Sequence, residues 1–309
     1  MFLQNPLISV VVPNYNHAQY LDERIQSILN QTYQNFELII LDDKSTDNSV
    51  EIIEKYRNHP KVSNIIINKE NSGSPFKQWN KGLELAKGSI IWIAESDDSC
   101  DKNFLSTLVP IYRKNNASIA FVRSVKMDSG GNLKGLFPYQ EDLVDDITLD
   151  GKHFIGEYLY RKNLIMNASA TLFDKKIAMQ IDKGYINFKG SGDWLFWIEI
   201  AERGSVCFVN KNMNYFRIHE NNTTIQIQRT GKDFFENYDI FQYLLSHKLI
   251  SNKKAQNRRC EVFDTLRSMH VDKNTKRSAL ILWGYNNPLW RLLYLSKRAE
   301  RYIKRVINM

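Results

Sequence analysis

The chain has 309 residues, 43% of them hydrophobic and none in a low-complexity tract, which is enough apolar material to offset chain entropy and excludes a disordered or fibrous protein. The length points to one large α/β domain with a smaller appendage rather than two equal halves. The formal charge of +8 and the pI near 9.2 suit an acidic partner such as nucleic acid, an anionic membrane surface or a phosphorylated substrate. About 17 Lys and Arg against about 7 Asp and Glu follow Ile227, however, so the basic character belongs to the tail. Cys100, Cys207 and Cys260 are isolated and odd in number, and read as free thiols rather than a disulfide framework or a zinc site. Met1 to Pro6 is too short and uncharged for a signal peptide, and no run approaches the roughly 18 apolar residues that cross a bilayer, so a cytoplasmic location is expected.

In chain order, Ile8-Ser9-Val10-Val11-Val12 is a buried strand ended by the turn residues Pro13-Asn14-Tyr15-Asn16. Leu21, Ile25, Ile28 and Leu29 fall at helical spacing, and Phe36 to Leu41 forms a second buried strand running into Asp42-Asp43. Ser45-Thr46-Asp47 supplies caps for a helix carrying Val50, Ile52 and Ile53. Ile65-Ile66-Ile67 is the third strand, Trp79 to Lys87 a further helix, and Ile90 to Ala94 a fourth strand running into Glu95-Ser96-Asp97-Asp98. This alternation implies a mostly parallel, Rossmann-like sheet flanked by helices. After Ala120-Phe121-Val122 the periodicity weakens, and Gly130-Gly131-Asn132 opens an irregular, aromatic-rich stretch assigned to the acceptor side. From about Asp233 the chain reads as helices, ending in a basic amphipathic one with Leu292, Leu293, Leu295 and Ile303 against Arg291, Lys297, Arg298 and Arg301.

Ligands of parallel sheets bind at the carboxyl ends of the strands, and both acid pairs fall there. Glu95-Ser96-Asp97-Asp98 has the oxygen donors a hard cation such as Mg2+ or Mn2+ wants, and such a cation neutralises a diphosphate. An isolated acidic tetrapeptide is more often a solvated turn, and Asp42 to Asp47 is in part a helix-terminal box. Two adjacent carboxylates exceed what capping requires, and one of them can accept the ring N–H of a pyrimidine.

Ile8 to Asn16, Ile28 to Thr32, Phe36 to Ser49, Asn80-Lys81-Gly82 with Ala86-Lys87-Gly88, and Ile93 to Asp98 together resemble the nucleotide-sugar half of family 2 glycosyltransferases, inverting enzymes with the GT-A fold. The resemblance implies that residues 1–228 form the GT-A domain, with 1–125 as its nucleotide-sugar half and 126–228 as its acceptor half, and that 229–309 is a basic helical extension. It implies that Pro13 and Tyr15 line the base pocket, Asp43 holds the base with Asp42 beside it, Asp97 lies near the ribose, and Asp98 ligates the metal. The family commonly has Arg just before Asn-x-Gly, where this chain has Gln78-Trp79; Lys77 is the substitute for that phosphate contact. The family often has Asp at the position of Glu95. Gly192-Asp193-Trp194 resembles the catalytic-base segment, with Gly192 in place of an acid and Asp193 as the base. Tyr215-Phe216-Arg217-Ile218-His219 resembles a loop that closes over the donor, with His219 on the metal or the diphosphate and Arg217 on phosphate.

The expected activity is transfer of one sugar, with inversion, from a nucleotide diphosphate donor of UDP type. The acceptor is a saccharide or lipid-linked saccharide hydroxyl, as in cell-surface polysaccharide synthesis, and the terminal helix gives peripheral contact with the inner membrane face. Three alternatives compete. A nucleotidyltransferase would show a Gly-rich phosphate loop near the N-terminus, and none is visible. A nucleic-acid module would carry a recognised motif beside the basic tail, so no nucleic-acid partner is expected. A non-catalytic nucleotide-sugar binder stays open because of Gly192. A dehydrogenase is close to excluded, since Pro13-Asn14-Tyr15-Asn16 stands where GxGxxG would.

Overall fold

The computed structural model describes residues 5–137, 143–219, 227 and 229–307. It divides into two compact units, Met1–Phe188 with Gly192–Glu220, and Lys189–Ser191 with Asn221–Met309. Among the described residues the first unit has ten strands: β1 Ile8–Asn14, β2 Phe36–Asp42, β3 Val62–Ile67, β4 Ile90–Ile93, β5 Ser99–Cys100, β6 Ala117–Met127, β7 Leu133–Leu136, β8 Ile147–Asp150, β9 Thr171–Asp174 and β10 Ser205–Arg217. Its helices are α1 Ala18–Leu29, α2 Ser49–Glu54, α3 Pro75–Leu85, α4 Phe104–Lys114, α5 Gly151–Phe154, α6 Lys175–Ala178 and α7 Gly192–Ala201.

All residues of β1 and β2 are buried, as continuous β-branched and aliphatic runs must be when helices cover both faces of a parallel sheet. Each such side chain contributes about 1.5–3 kcal/mol on burial. Helix α1 seals one face with Tyr20, Leu21, Ile25 and Ile28, which recur at helical spacing. Helix α3 begins at Pro75, earlier than the apolar spacing alone predicted, because proline is pre-set for the first turn. It lies so close to β1 that a Cβ on Gly82 would stand 2.4 Å from Val11 Cγ1, which accounts for glycine in the Asn-x-Gly motif.

The strand order is β3-β2-β1-β4-β9-β6-β10-β5. Pairings β3–β2, β2–β1, β1–β4 and β6–β10 are parallel. Strand β9 runs antiparallel between β4 and β6, so the sheet is mixed, its parallel part being the one the alternation of strands and helices announces. Strand β9 sits beside β4 after a separation in sequence that no local periodicity encodes. Cys100, Cys207 and Cys260 are buried and none is in a disulfide.

The second unit comprises α8 Asp233–Ser246, α9 Asn252–Ser268, α10 Lys273–Leu282 and α11 Pro288–Ile307. Trp283 is fully buried and donates from Nε1 to the Phe234 carbonyl at 3.0 Å. Glu236 accepts from the backbone N–H groups of Lys189, Gly190 and Ser191. In α11 it is Tyr294 that packs inward, with its hydroxyl on Asp264, while Leu289, Leu292, Leu295 and Ile303 remain exposed. Among the described residues no helix is long and apolar enough to cross a membrane.

Candidate active site

The parallel strands β1, β2 and β4 finish at one edge of the sheet, with Asn14 opposite Asp42 in register. Asp42 is fully buried and structural in its contacts: it accepts from Asn14 Nδ2 at 2.8 Å, Ser45 Oγ at 2.6 Å and Ser45 N at 2.9 Å. Asn16 and Lys44, just past the two strands, adopt left-handed φ of 56° and 62°. The turns are held by Thr46 N donating to Asn16 Oδ1 and Asn16 N donating to Ser45 Oγ. Thus Ser45 and Thr46 knit the strand ends together, and Asp47 alone of the three serves α2, accepting from Ser49 N at 3.0 Å.

Asp43 is a hub. Its carboxylate accepts from Asn68 Nδ2, Gln78 Nε2, and both the backbone N–H and hydroxyl of Ser72, at 2.7 to 3.1 Å. Lys77 is exposed and its Nζ donates to the Ser72 carbonyl at 2.9 Å, so it stands next to this hub. Pro13 is buried within β1, whereas Tyr15 is 47% exposed at the rim.

Past β4, Glu95 accepts from Trp79 Nε1 at 2.8 Å. Two departures from the family pattern therefore meet: Gln78 serves Asp43 and Trp79 serves the longer Glu95. Burial, aided by the charge of Asp97, pushes the Glu95 carboxyl up to about 8. Asp98 is buried and accepts from Asn167 Nδ2 at 2.6 Å, Ser169 Oγ at 2.7 Å and Arg217 N at 3.0 Å. Burial would lift Asp97 too, but the hydrogen bond from His219 and the nearby imidazoles outweigh it and hold Asp97 below its ordinary value. Burial and the Asp97 charge push Asp98 the other way, so the adjacent acids diverge.

His219 Nε2 lies 2.9 Å from Asp97 Oδ2, and the ring of His17 meets that of His219 edge-on at 5.4 Å. His17, Asp97 and His219 each bring one ligand atom within 4.8 Å of the others. Two imidazoles and a carboxylate, drawn from the start of α1, the end of β4 and the segment after β10, form a donor set that fits a divalent cation. Asp98 lies outside that set, its oxygens committed to the three donors above. The Arg217 guanidinium is 1% exposed and bonded to the Asp97 carbonyl at 2.7 Å and Glu23 at 2.6 Å, over the ring of Tyr20. It therefore braces the acidic loop from behind.

Asp193 occupies the first turn of α7, where a carboxylate gains from the helix dipole. Its Oδ2 accepts from Asn163 Nδ2 at 2.8 Å and its Oδ1 from Trp194 N at 2.8 Å. A Cβ on Gly192 would stand 2.6 Å from both the Phe76 ring and the Tyr185 carbonyl, so packing forbids an acid there. All ten residues singled out from the sequence lie in the first unit. His17, Asn167 and Ser169 were not among them: a lone His after a turn and a polar loop carry no periodic signal, and only tertiary contact joins them to Asp97 and Asp98.

A mixed α/β sheet that gathers carboxylates at the carboxyl ends of its parallel strands defines the GT-A class of fold. Residues 9–180 match the profile of "Glycosyl transferase family 2", and the chain belongs to that family. It is 37% identical over 144 residues to Glycosyltransferase GlyG of Streptococcus pneumoniae serotype 4, a match covering 46% of this chain and 48% of that protein. It is 24% identical over 322 residues to poly(ribitol-phosphate) beta-N-acetylglucosaminyltransferase TarP of Staphylococcus aureus, covering 98% and 93% of the two chains. The crystal structure of S. aureus TarS 1-349 in complex with UDP-GlcNAc shares the fold with a TM-score of 0.59 at 20% identity, covering 88% of this chain and 70% of that one.

Proposed function

We propose that this protein transfers a sugar, with inversion, from a UDP-sugar to a hydroxyl of a cell-surface glycan. The observation that carries the reading is the convergence of Asp43, Asp97 and Asp98 at the carboxyl ends of parallel strands. The Asp43 hub orients the 68–74 loop and the first turn of α3 for the base, with Tyr15 exposed beside it to take up the pyrimidine face. Asp97 and His219 would hold a divalent cation, which would neutralise the charge of the departing diphosphate. Asp193 accepts the proton of the attacking hydroxyl as the glycosidic bond forms, and Asn163 fixes the orientation of its carboxylate. Lys77, long and exposed, contributes a positive charge to the diphosphate. UDP is the relative's nucleotide, and its use here is tested by calorimetric titration with UDP, GDP and dTDP, each with and without Mn2+. Binding of UDP that requires Mn2+ is expected; absence of binding by all three diphosphates sinks the transferase reading.

The acceptor is proposed to be a saccharide on a lipid carrier at an anionic membrane surface. Leu289, Leu292, Leu295 and Ile303 are 75%, 64%, 43% and 54% exposed on a helix that also exposes Arg291 and Arg298, a combination matched to anionic lipid. Sedimentation with phosphatidylglycerol-containing vesicles, weakened by Leu289→Ser with Leu292→Ser, is the expected result. Equal sedimentation of the double variant would assign the exposed face to something other than lipid.

A further inference from the structure

We infer that His17 is a third protein ligand of the cation, alongside Asp97 and His219, and that this donor set selects a cation that accepts imidazole, such as Mn2+, over Mg2+. The inference rests on the transferase reading only for the use made of the ion.

The geometry is already close to a ligand set. Donors around one ion at about 2.1 Å are separated by about 3 to 4.2 Å, and the three atoms here lie within 4.8 Å of one another. Small side-chain rotations close the difference. His17 precedes α1 at its capping position yet makes no side-chain cap, so helix termination does not explain its ring orientation. Ser96 Oγ fixes that ring by contacting Nδ1 at 2.8 Å. Metal-bound imidazoles are commonly held this way, through the nitrogen that does not face the ion, which leaves Nε2 of His17 to the cation. Ser96 belongs to the same loop as Asp97, so the loop that supplies the carboxylate also orients the imidazole.

The chemistry of the set then decides the ion. Mg2+ prefers carboxylate, phosphate and water oxygen and dehydrates reluctantly, whereas imidazole suits the first-row transition ions. Two nitrogens to one carboxylate move the site away from Mg2+. A cation held by these three protein donors would keep its remaining positions for diphosphate oxygen and water.

The test uses the full-length protein without nucleotide. Titration with Mn2+ followed by the electron paramagnetic resonance of free ion, and with Mg2+ by competition, is expected to show at least tenfold preference for Mn2+. His17→Gln is expected to weaken Mn2+ binding by about 10- to 100-fold with unchanged circular dichroism. Unchanged Mn2+ affinity in a folded variant overturns the assignment. Should the variant not fold, Cu2+ bound to the wild-type protein reports directly: hyperfine structure from two nitrogens supports the assignment, and from one nitrogen overturns it. Tight Mn2+ binding with no UDP binding would refute the transferase reading and leave the ligand set standing. UDP-dependent transfer with one-nitrogen coordination would do the reverse.

Discussion

Asp193→Asn is expected to lower the turnover of sugar transfer by about 10²- to 10⁴-fold, the range that a positioned general base supplies, while donor binding stays within about twofold. The substitution is nearly isosteric, and an amide oxygen can still accept one of the two hydrogen bonds that Asp193 takes from Asn163 and Trp194 N. What disappears is the capacity to take a proton. Because the position before it is closed to any side chain by Phe76 and the Tyr185 carbonyl, no neighbouring acid can substitute. Steady-state kinetics beside a UDP titration checks the result. Turnover within threefold of wild type would remove Asp193 from the reaction and return it to a purely helical role.

Asp43→Ala is expected to have a double effect, abolishing detectable UDP binding and destabilising the protein by about 3 kcal/mol. The second effect follows from the orphaning of donors from Asn68, Ser72 and Gln78, each worth about 1–3 kcal/mol when left without a partner, reduced here because the loop is only part-buried and water can replace some of them. Urea unfolding and calorimetry separate the two. Asp43→Asn keeps one acceptor oxygen but turns an amide toward the Ser72 N–H, so it should recover part of the stability and little of the binding. An alanine variant with both properties intact would show that the carboxylate neither holds the base nor organises the loop.

Much of the first unit was legible because its signal is local. Runs such as Ile8 to Val12 and Phe36 to Leu41 must be buried on both faces, and the helical spacing between them allows only a parallel crossover. From that alone the two acid pairs fall on one rim, and the ordered motifs gave the family. The helical tail was equally readable, since its apolar residues keep a helical period, although which of them pack inward was not: Tyr294 takes the buried place, Leu293 is half-buried, and Leu289, Leu292 and Leu295 stay exposed.

What the site is made of was decided by contacts between distant segments. Asp97 and Asp98 are neighbours with the same side chain, yet one faces two imidazoles and the other is enclosed by Asn167, Ser169 and the Arg217 backbone. No one-dimensional pattern distinguishes them, because the difference lies in which way each carboxylate leaves the loop and how much water it keeps. The partnership of Trp79 with Glu95, the clash that keeps position 192 as glycine, and the insertion of antiparallel β9 beside β4 likewise arise from residues far apart in sequence. Local periodicity determined the elements and the ordered motifs the family; the desolvation and the specific donors that make one acid differ from its neighbour exist only once the chain has folded.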